Sequence, residues 1–425
     1  MSPGAMMMTF LAMMAGGVPV AIAMCAASLI YVMATKNIPD FVVIHRMYGG
    51  VDSFPLLAVP FFIWAGNLMN SSGVTNRIYN FALALVGWMK GGLGHVNVVG
   101  SMIFAGMSGT AIADAAGLGT VEIKAMKDHG YPVEFAVGVT AASATVGPII
   151  PPSLPFVIYG MMAGVSIGQL FLAGVIPGII MGITMMVTVA YYAHVRKYQA
   201  DAVFSWTVLW KTFLDAILAM MTPVLLVGGM TMGVFTPTEG AIAASMWALF
   251  LGLVWYRTLS WRMLVKITMD TVETTATVLF IVAAASIFGW LLTVTRVTED
   301  VAVWILSFTQ SPAVFLLLAN VLMLFVGCFL EPVAAITLLV PILIPICQKL
   351  GIDLVHFGLV MVLNLMIGLL HPPMGTVLFV LSRIAKLSFE RTTIAILPWL
   401  VPLLATLLLC TYVPAVVLWL PRTFF

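Results

Sequence analysis

The stretch Gly147-Pro148-Ile149-Ile150-Pro151-Pro152-Ser153 interrupts an apolar run of near-membrane-spanning length with three prolines and a glycine. Proline lacks a backbone donor, and its ring collides with the carbonyl four residues back. The run must therefore split into two half-helices around an unwound segment. In hydrocarbon, unwound backbone is tolerated only where protein buries it or where it lines a cavity. The break recurs at Gly368-Leu369-Leu370-His371-Pro372-Pro373-Met374, where Gly147, Pro151 and Pro152 return as Gly368, Pro372 and Pro373, 221 residues on. The same offset carries Gly130 onto Gly351 and Pro177 onto Pro398. Two ordinary proline kinks would be the plainer reading. Four landmarks in one register favour a duplicated unit, and paired Gly/Pro-interrupted segments in two halves are the best sequence pointer to a transporter binding site.

Composition sets the class. The chain of 425 residues is 62% hydrophobic and 8% charged, with a mean hydropathy of +1.13, whereas soluble domains carry about 25% charged residues. It reads as an all-α polytopic membrane protein. A net charge of +2, with basic residues scattered singly or in pairs, gives no surface for nucleic acid. Cys25, Cys328, Cys347 and Cys410 sit in apolar surroundings without metal-type spacing and read as small core hydrophobes.

Outward from the breaks, Val96–Met126 is apolar but interrupted at Ser108-Gly109-Thr110, with Asp114 soon after. Its two arms are each too short to cross a core of about 30 Å, so a re-entrant hairpin with its tip at Ser108–Thr110 is predicted. The offset of 221 places a second tip at Phe329-Leu330-Glu331-Pro332, within an apolar hairpin over Val314–Ile346. Each half is then a hairpin followed by a broken helix. The organisation expected is scaffold over 1–95, first hairpin and broken helix over 96–166, scaffold with amphipathic arms over 167–313, second hairpin and broken helix over 314–388, and a C-terminal span over 389–425.

The remaining runs read as scaffold. Spans are predicted at Met6–Met33, Phe54–Met69, Ile78–Met89, Ile167–Val195, Ile217–Val234, Gly240–Tyr256, Val272–Leu292 and Ile394–Leu420. Met6–Met33 outruns the short apolar core of a signal peptide. Lys36–Asp52 is predicted to lie along an interface. Ser205–Asp215 and Ser260–Asp270, with Trp206, Trp210, Lys211, Trp261, Arg262 and Lys266, are predicted as interfacial helices. Arg296, Glu299 and Asp300 read as a solvated loop.

Several segments together resemble the large permease subunit of tripartite ATP-independent periplasmic (TRAP) transporters. They are Pro60-Phe-Phe-Ile-Trp-Ala-Gly66, Ser108-Gly-Thr-Ala-Ile-Ala-Asp114, Pro148-Ile-Ile-Pro-Pro-Ser153, Phe235-Thr-Pro-Thr-Glu239, Pro341-Ile-Leu-Ile-Pro345 and Gly351-Ile-Asp353, in the family's order over nearly the whole chain. The resemblance implies an elevator-type transporter of the bacterial inner membrane with inverted repeats and sodium coupling. It also implies a smaller membrane subunit, a periplasmic substrate-binding protein and a small organic acid such as a dicarboxylate, a sugar acid or a sialic acid.

Two tips meeting two unwound breaks bring carbonyls, hydroxyls and helix termini together, and hard cations take oxygen ligands while helix N-termini attract anions. By resemblance, sodium belongs at both breaks. A first site would draw on Ser108, Thr110, Thr145, Val146 and Gly147, and a second on the carbonyls near Gly327, Gly368, His371 and Met374. Asp114, Pro151, Pro152, Ser153, Glu331, Asn364, Pro372 and Pro373 would support substrate or site. For Ser108 and Thr145 the competing role is a hydrogen bond back to the helix's own turn. For Asp114 it is a cap or inter-helix bond near the tip, although an ionisable residue at membrane depth reads as functional by default. His371 stands where the family commonly has threonine, so it is either a carbonyl ligand that survives the change, a titratable group near the site, or a packed neutral imidazole.

Other classes lack their chemistry. No lysine follows a glycine, which excludes a phosphate-cradling Gly-x-x-x-x-Gly-Lys-Ser/Thr loop; no histidine precedes a glutamate, which excludes His-Glu-x-x-His. Gly106-Met-Ser-Gly109 lacks the spacing of a Gly-x-Ser-x-Gly nucleophile. The remaining alternative is a stand-alone sodium-carboxylate symporter of related fold, which would need no binding protein.

Overall fold

The computed structural model describes residues 2–35, 38–372 and 375–425. Pro373 and Met374, expected at the second break, lie outside them. Among the described residues the chain is helical throughout. The N-terminal part comprises α1 (Pro3–Ala15), α2 (Val20–Thr35), α3 (Phe41–Val51), α4 (Ala58–Ser71) and α5 (Val74–Val86). The first hairpin and broken helix follow as α6 (Gly92–Ser108), α7 (Ala111–Ala116), α8 (Leu118–Asp128), α9 (Val133–Ala144) and α10 (Leu154–Ala163). Then come α11 (Ile167–Arg196), α12 (Trp206–Thr231), α13 (Pro237–Phe250), α14 (Trp261–Val294) and α15 (Val297–Phe308). The second hairpin and broken helix are α16 (Pro312–Gly327), α17 (Pro332–Lys349), α18 (Leu354–Gly368) and α19 (Thr376–Ala385), and α20 (Phe389–Tyr412) and α21 (Pro414–Phe424) close the chain. Among the described residues, seven helices are long and apolar enough to cross a membrane.

The element boundaries keep the register seen in the sequence. Ala111 and Pro332 begin α7 and α17, and Val133 and Leu354 begin α9 and α18, each pair 221 residues apart. Gly130 and Gly351 turn the chain ahead of the two broken helices at φ of 78° and 66°, a conformation that costs glycine nothing. Pro177 and Pro398 lie inside α11 and α20. Between the tips and breaks, α6 packs on α9 and α11, α16 on α18, and α10 on α17, so both hairpins and both broken helices share one buried core.

Scaffold details depart from expectation for local reasons. Met6–Met33 is two helices, because Gly16-Gly17, with Gly17 at φ 81°, and Pro19 stop α1 and restart the chain as α2. Ile394–Leu420 is likewise divided at Val413-Pro414 into α20 and α21. The two amphipathic arms are not separate elements, since neither Ser205–Asp215 nor Ser260–Asp270 is followed by a breaker, and each runs straight into the next span as α12 or α14. At 1.5 Å per residue the 34 residues of α14 extend about 51 Å, well beyond the hydrocarbon thickness. Glu299 and Asp300 are exposed, but in the first turn of α15, where carboxylates suit the helix dipole, with Arg296 preceding it at φ 59°.

Candidate functional site

At the first tip, α6 ends and Gly109 turns the chain at φ 62°. A Cβ there would also lie 3.0 Å from the Pro152 carbonyl oxygen, so tip and break meet backbone to backbone. Thr110 starts α7 by accepting from the Ala113 amide at 3.3 Å. Gly147 sits against the same tip, since a Cβ on it would lie 3.3 Å from the Thr110 carbonyl oxygen. Ser153 starts α10, accepting from the Phe156 amide at 3.4 Å and donating to the Pro148 carbonyl within the break.

The oxygens at this junction fall into two groups. Thr145 Oγ1 donates to the Ala142 carbonyl at 2.6 Å, and the Val146 carbonyl accepts from Ile149 and Ile150. These are spent on the local turn. The carbonyls of Thr145 and Gly147 accept no bond among the described residues, and the Ser108 hydroxyl is buried without a partner.

In the second half, Gly327 at the end of α16 touches Gly368 at the end of α18, where a Cβ on Gly368 would lie 2.8 Å from the Gly327 Cα. The Gly368 and His371 carbonyls accept from His371 and Gly375, and a His371 ring nitrogen bonds the Ile367 carbonyl at 2.9 Å. Asn364, one turn before Gly368, donates through Nδ2 to the Asn320 carbonyl and side-chain oxygen, while its own Oδ1 is buried and unpartnered. Glu331 precedes α17 as an exposed side chain with no capping bond, followed by Pro332 at the first helical position.

One cleft of about 40 Å³ collects both halves. Gly109, Thr110 and Ala111 from the first tip, Pro148, Leu154 and Pro155 from the first break, Glu331, Pro332 and Val333 from the second tip, and Met366 and Leu369 from the second broken helix line it. Three helix N-termini, those of α7, α10 and α17, reach this one cleft. The positive ends of their dipoles favour an anion, although Pro155 and Pro332 supply no amide and the Ala113 and Phe156 amides are bonded to their caps. The cleft's volume is far below the roughly 300–1,000 Å³ of pockets that hold small organic ligands, so this arrangement is closed to an organic acid. Asn364 and Asp114 do not line it.

Sequence reasoning passed over four residues of this core. Gly66 on α4 closes on the first tip, since a Cβ there would lie 3.0 Å from the Ser108 carbonyl oxygen. Asn97 and Glu122 are buried and hydrogen-bonded at 2.6 Å between the arms of the first hairpin, and Asn320 anchors Asn364. For Gly66, Asn97 and Asn320 a glycine or an amide inside an apolar run was the available signal, and for Glu122 a carboxylate within a hairpin arm.

The family model of the DctM component of tripartite ATP-independent periplasmic transporters matches residues 7–416. The sialic acid TRAP transporter large permease protein SiaM of Vibrio cholerae is 45% identical over 98% of this chain and 97% of its own length. The 2,3-diketo-L-gulonate TRAP transporter large permease protein YiaN of Escherichia coli is 34% identical over 96% of this chain and 97% of its own. Among solved structures, the YdaH transporter of Alcanivorax borkumensis superposes with a TM-score of 0.63 at 15% identity, covering 87% of this chain and 86% of that one, a likeness of fold alone.

Proposed function

This chain belongs to the DctM component family of tripartite ATP-independent periplasmic transporters, and from that membership we propose that it carries a sialic acid or a related sugar acid across the membrane on a sodium gradient. It is a multi-pass inner-membrane protein and a secondary transporter of organic acids, not an enzyme. The observation that carries the finer reading is the convergence of three helix N-termini on one cleft between the two tips and the two breaks. A carboxylate suits such positive helix ends, and among the described residues no lysine or arginine lines the cleft. The choice of a sugar acid follows the 45% identity to a sialic acid permease.

Sodium is the co-substrate in this reading, and the oxygens suit it. The first position draws on the unpartnered Ser108 hydroxyl and the free carbonyls of Thr145 and Gly147, with Thr110 and Val146 shaping the turn. The second draws on the Gly327 carbonyl beside Gly368, with Asn364 Oδ1 as polar support. His371 contributes backbone, its ring being engaged with the preceding turn. Glu331, at the mouth of the cleft, would balance the positive helix ends when no acid is bound. Because the cleft is closed to an acid, the two tips must part from the breaks to load one. A pair of inverted repeats moving as an elevator supplies that motion.

A tripartite system has two further members, a smaller membrane subunit and a periplasmic binding protein that delivers the acid. The test is uptake of radiolabelled sialic acid by cells expressing the chain with both co-encoded partners, and with each omitted. Uptake should fall to background when either is absent. Full uptake by this chain alone would overturn the three-part reading in favour of a stand-alone symporter.

A further inference from the structure

A second set of buried oxygens lies inside the first hairpin, away from the cleft. Asp114 on α7 and Glu122 on α8 are both buried, and among the described residues no lysine, arginine or histidine pairs with either. Asn97 Nδ2 donates to Glu122 Oε2 at 2.6 Å and to Thr140 Oγ1 at 2.7 Å. Ser143 Oγ donates to Asn97 Oδ1 at 2.7 Å, and Ser101 Oγ to Ser143 Oγ at 3.1 Å. This chain of bonds leaves Glu122 Oε1 and both oxygens of Asp114 without a partner. Ser101 on α6, Asp114 on α7 and Glu122 on α8 are all buried, and the three helices pack on one another. Glu122 Oε1 packs against Gly100, where a Cβ would lie 2.9 Å from it, so only glycine admits the carboxyl there.

Two buried carboxyl groups with three unpartnered oxygens and, among the described residues, no basic partner call for a cation. We propose that Asp114 and Glu122, with the Ser101 hydroxyl, hold a monovalent metal cation between the arms of the first hairpin, separate from the ion positions assigned to the tips. Oxygen ligands of this kind suit a hard ion. Bound there, the cation ties α6 to α7 and α8 and stiffens the arm that carries the tip.

The test is thermal unfolding of the purified full-length chain as sodium replaces choline at constant ionic strength, for the native protein, Glu122→Gln, Asp114→Asn and Ser108→Ala. Each amide removes a buried charge while keeping shape. Both should therefore unfold at higher temperature than the native chain without sodium, and should need about tenfold more sodium for half of the stabilisation. Equilibrium binding of radioactive sodium should show one fewer ion in each amide variant, a readout that survives if one of them folds poorly. Ser108→Ala should retain the response of the cluster, so loss of the tip reading and loss of this one are told apart. A sodium response and ion count unchanged in both amide variants would overturn the proposal. So would an equal loss of stability at every sodium concentration, or a native chain stabilised by acid but not by sodium.

Discussion

Uptake is expected to fall to background in both Gly368→Val and Gly147→Val. At Gly368 the added Cβ would lie 2.8 Å from the Gly327 Cα and 2.9 Å from its carbonyl carbon, and backbone cannot swing aside as a side-chain tip can. The helix ends must separate, which displaces the Gly327 carbonyl and costs about 1–3 kcal/mol or more of stability. At Gly147 the new atoms press on the Ala144 and Thr110 carbonyl oxygens, 3.2 and 3.3 Å from the Cβ. Fold should survive there while the junction of tip and break does not. Gly228→Ala is the control, because a Cβ on Gly228 in α12 meets nothing within 4 Å. Uptake normalised to membrane abundance, with size-exclusion profiles for folding, is the measurement. Near-native uptake by either valine variant would remove that break from the site.

Ser108→Ala separates a ligand from a structural hydroxyl by the sign of its effects. A buried hydroxyl without a partner is a net cost to the fold, so its removal leaves stability unchanged or slightly raised. If the oxygen binds sodium, the sodium concentration for half-maximal uptake rises about tenfold, the equivalent of about 1.4 kcal/mol. A lower unfolding temperature with an unchanged sodium requirement would assign Ser108 to packing instead. Thr145→Val should do little beyond the loss of one local bond, because its hydroxyl is already committed to the Ala142 carbonyl.

The breaks were legible because proline and glycine act locally, and Gly147–Ser153 cannot continue a helix in any context. The hairpins needed the offset as well, since Val314–Ile346 alone could pass for an ordinary span. What the sequence hid depends on partners distant in the chain. Glu122 lies within Val96–Met126, read from its hydropathy as the arms of a hairpin, and nothing local to it signals that Asn97 on the opposite arm, itself bonded to Thr140, takes its carboxyl. The roles of individual oxygens at the tip were equally out of reach, because Ser108 and Thr145 offer the same chemistry and only the turn geometry spends one and spares the other. Scaffold breaks were misjudged where a short signal, Gly16-Gly17 or Val413-Pro414, sat inside a run whose overall hydropathy suggested a single span. The arms erred in the opposite direction, polar residues suggesting a boundary where no breaker existed.

The most direct test of the account is sialic acid uptake by proteoliposomes containing the chain and its small membrane subunit, with the binding protein supplied outside and sodium set independently on each side. Uptake should require an inward sodium gradient and should stop when the gradient is collapsed or sodium is replaced by choline. Undiminished uptake in sodium-free buffer would contradict the account at its centre.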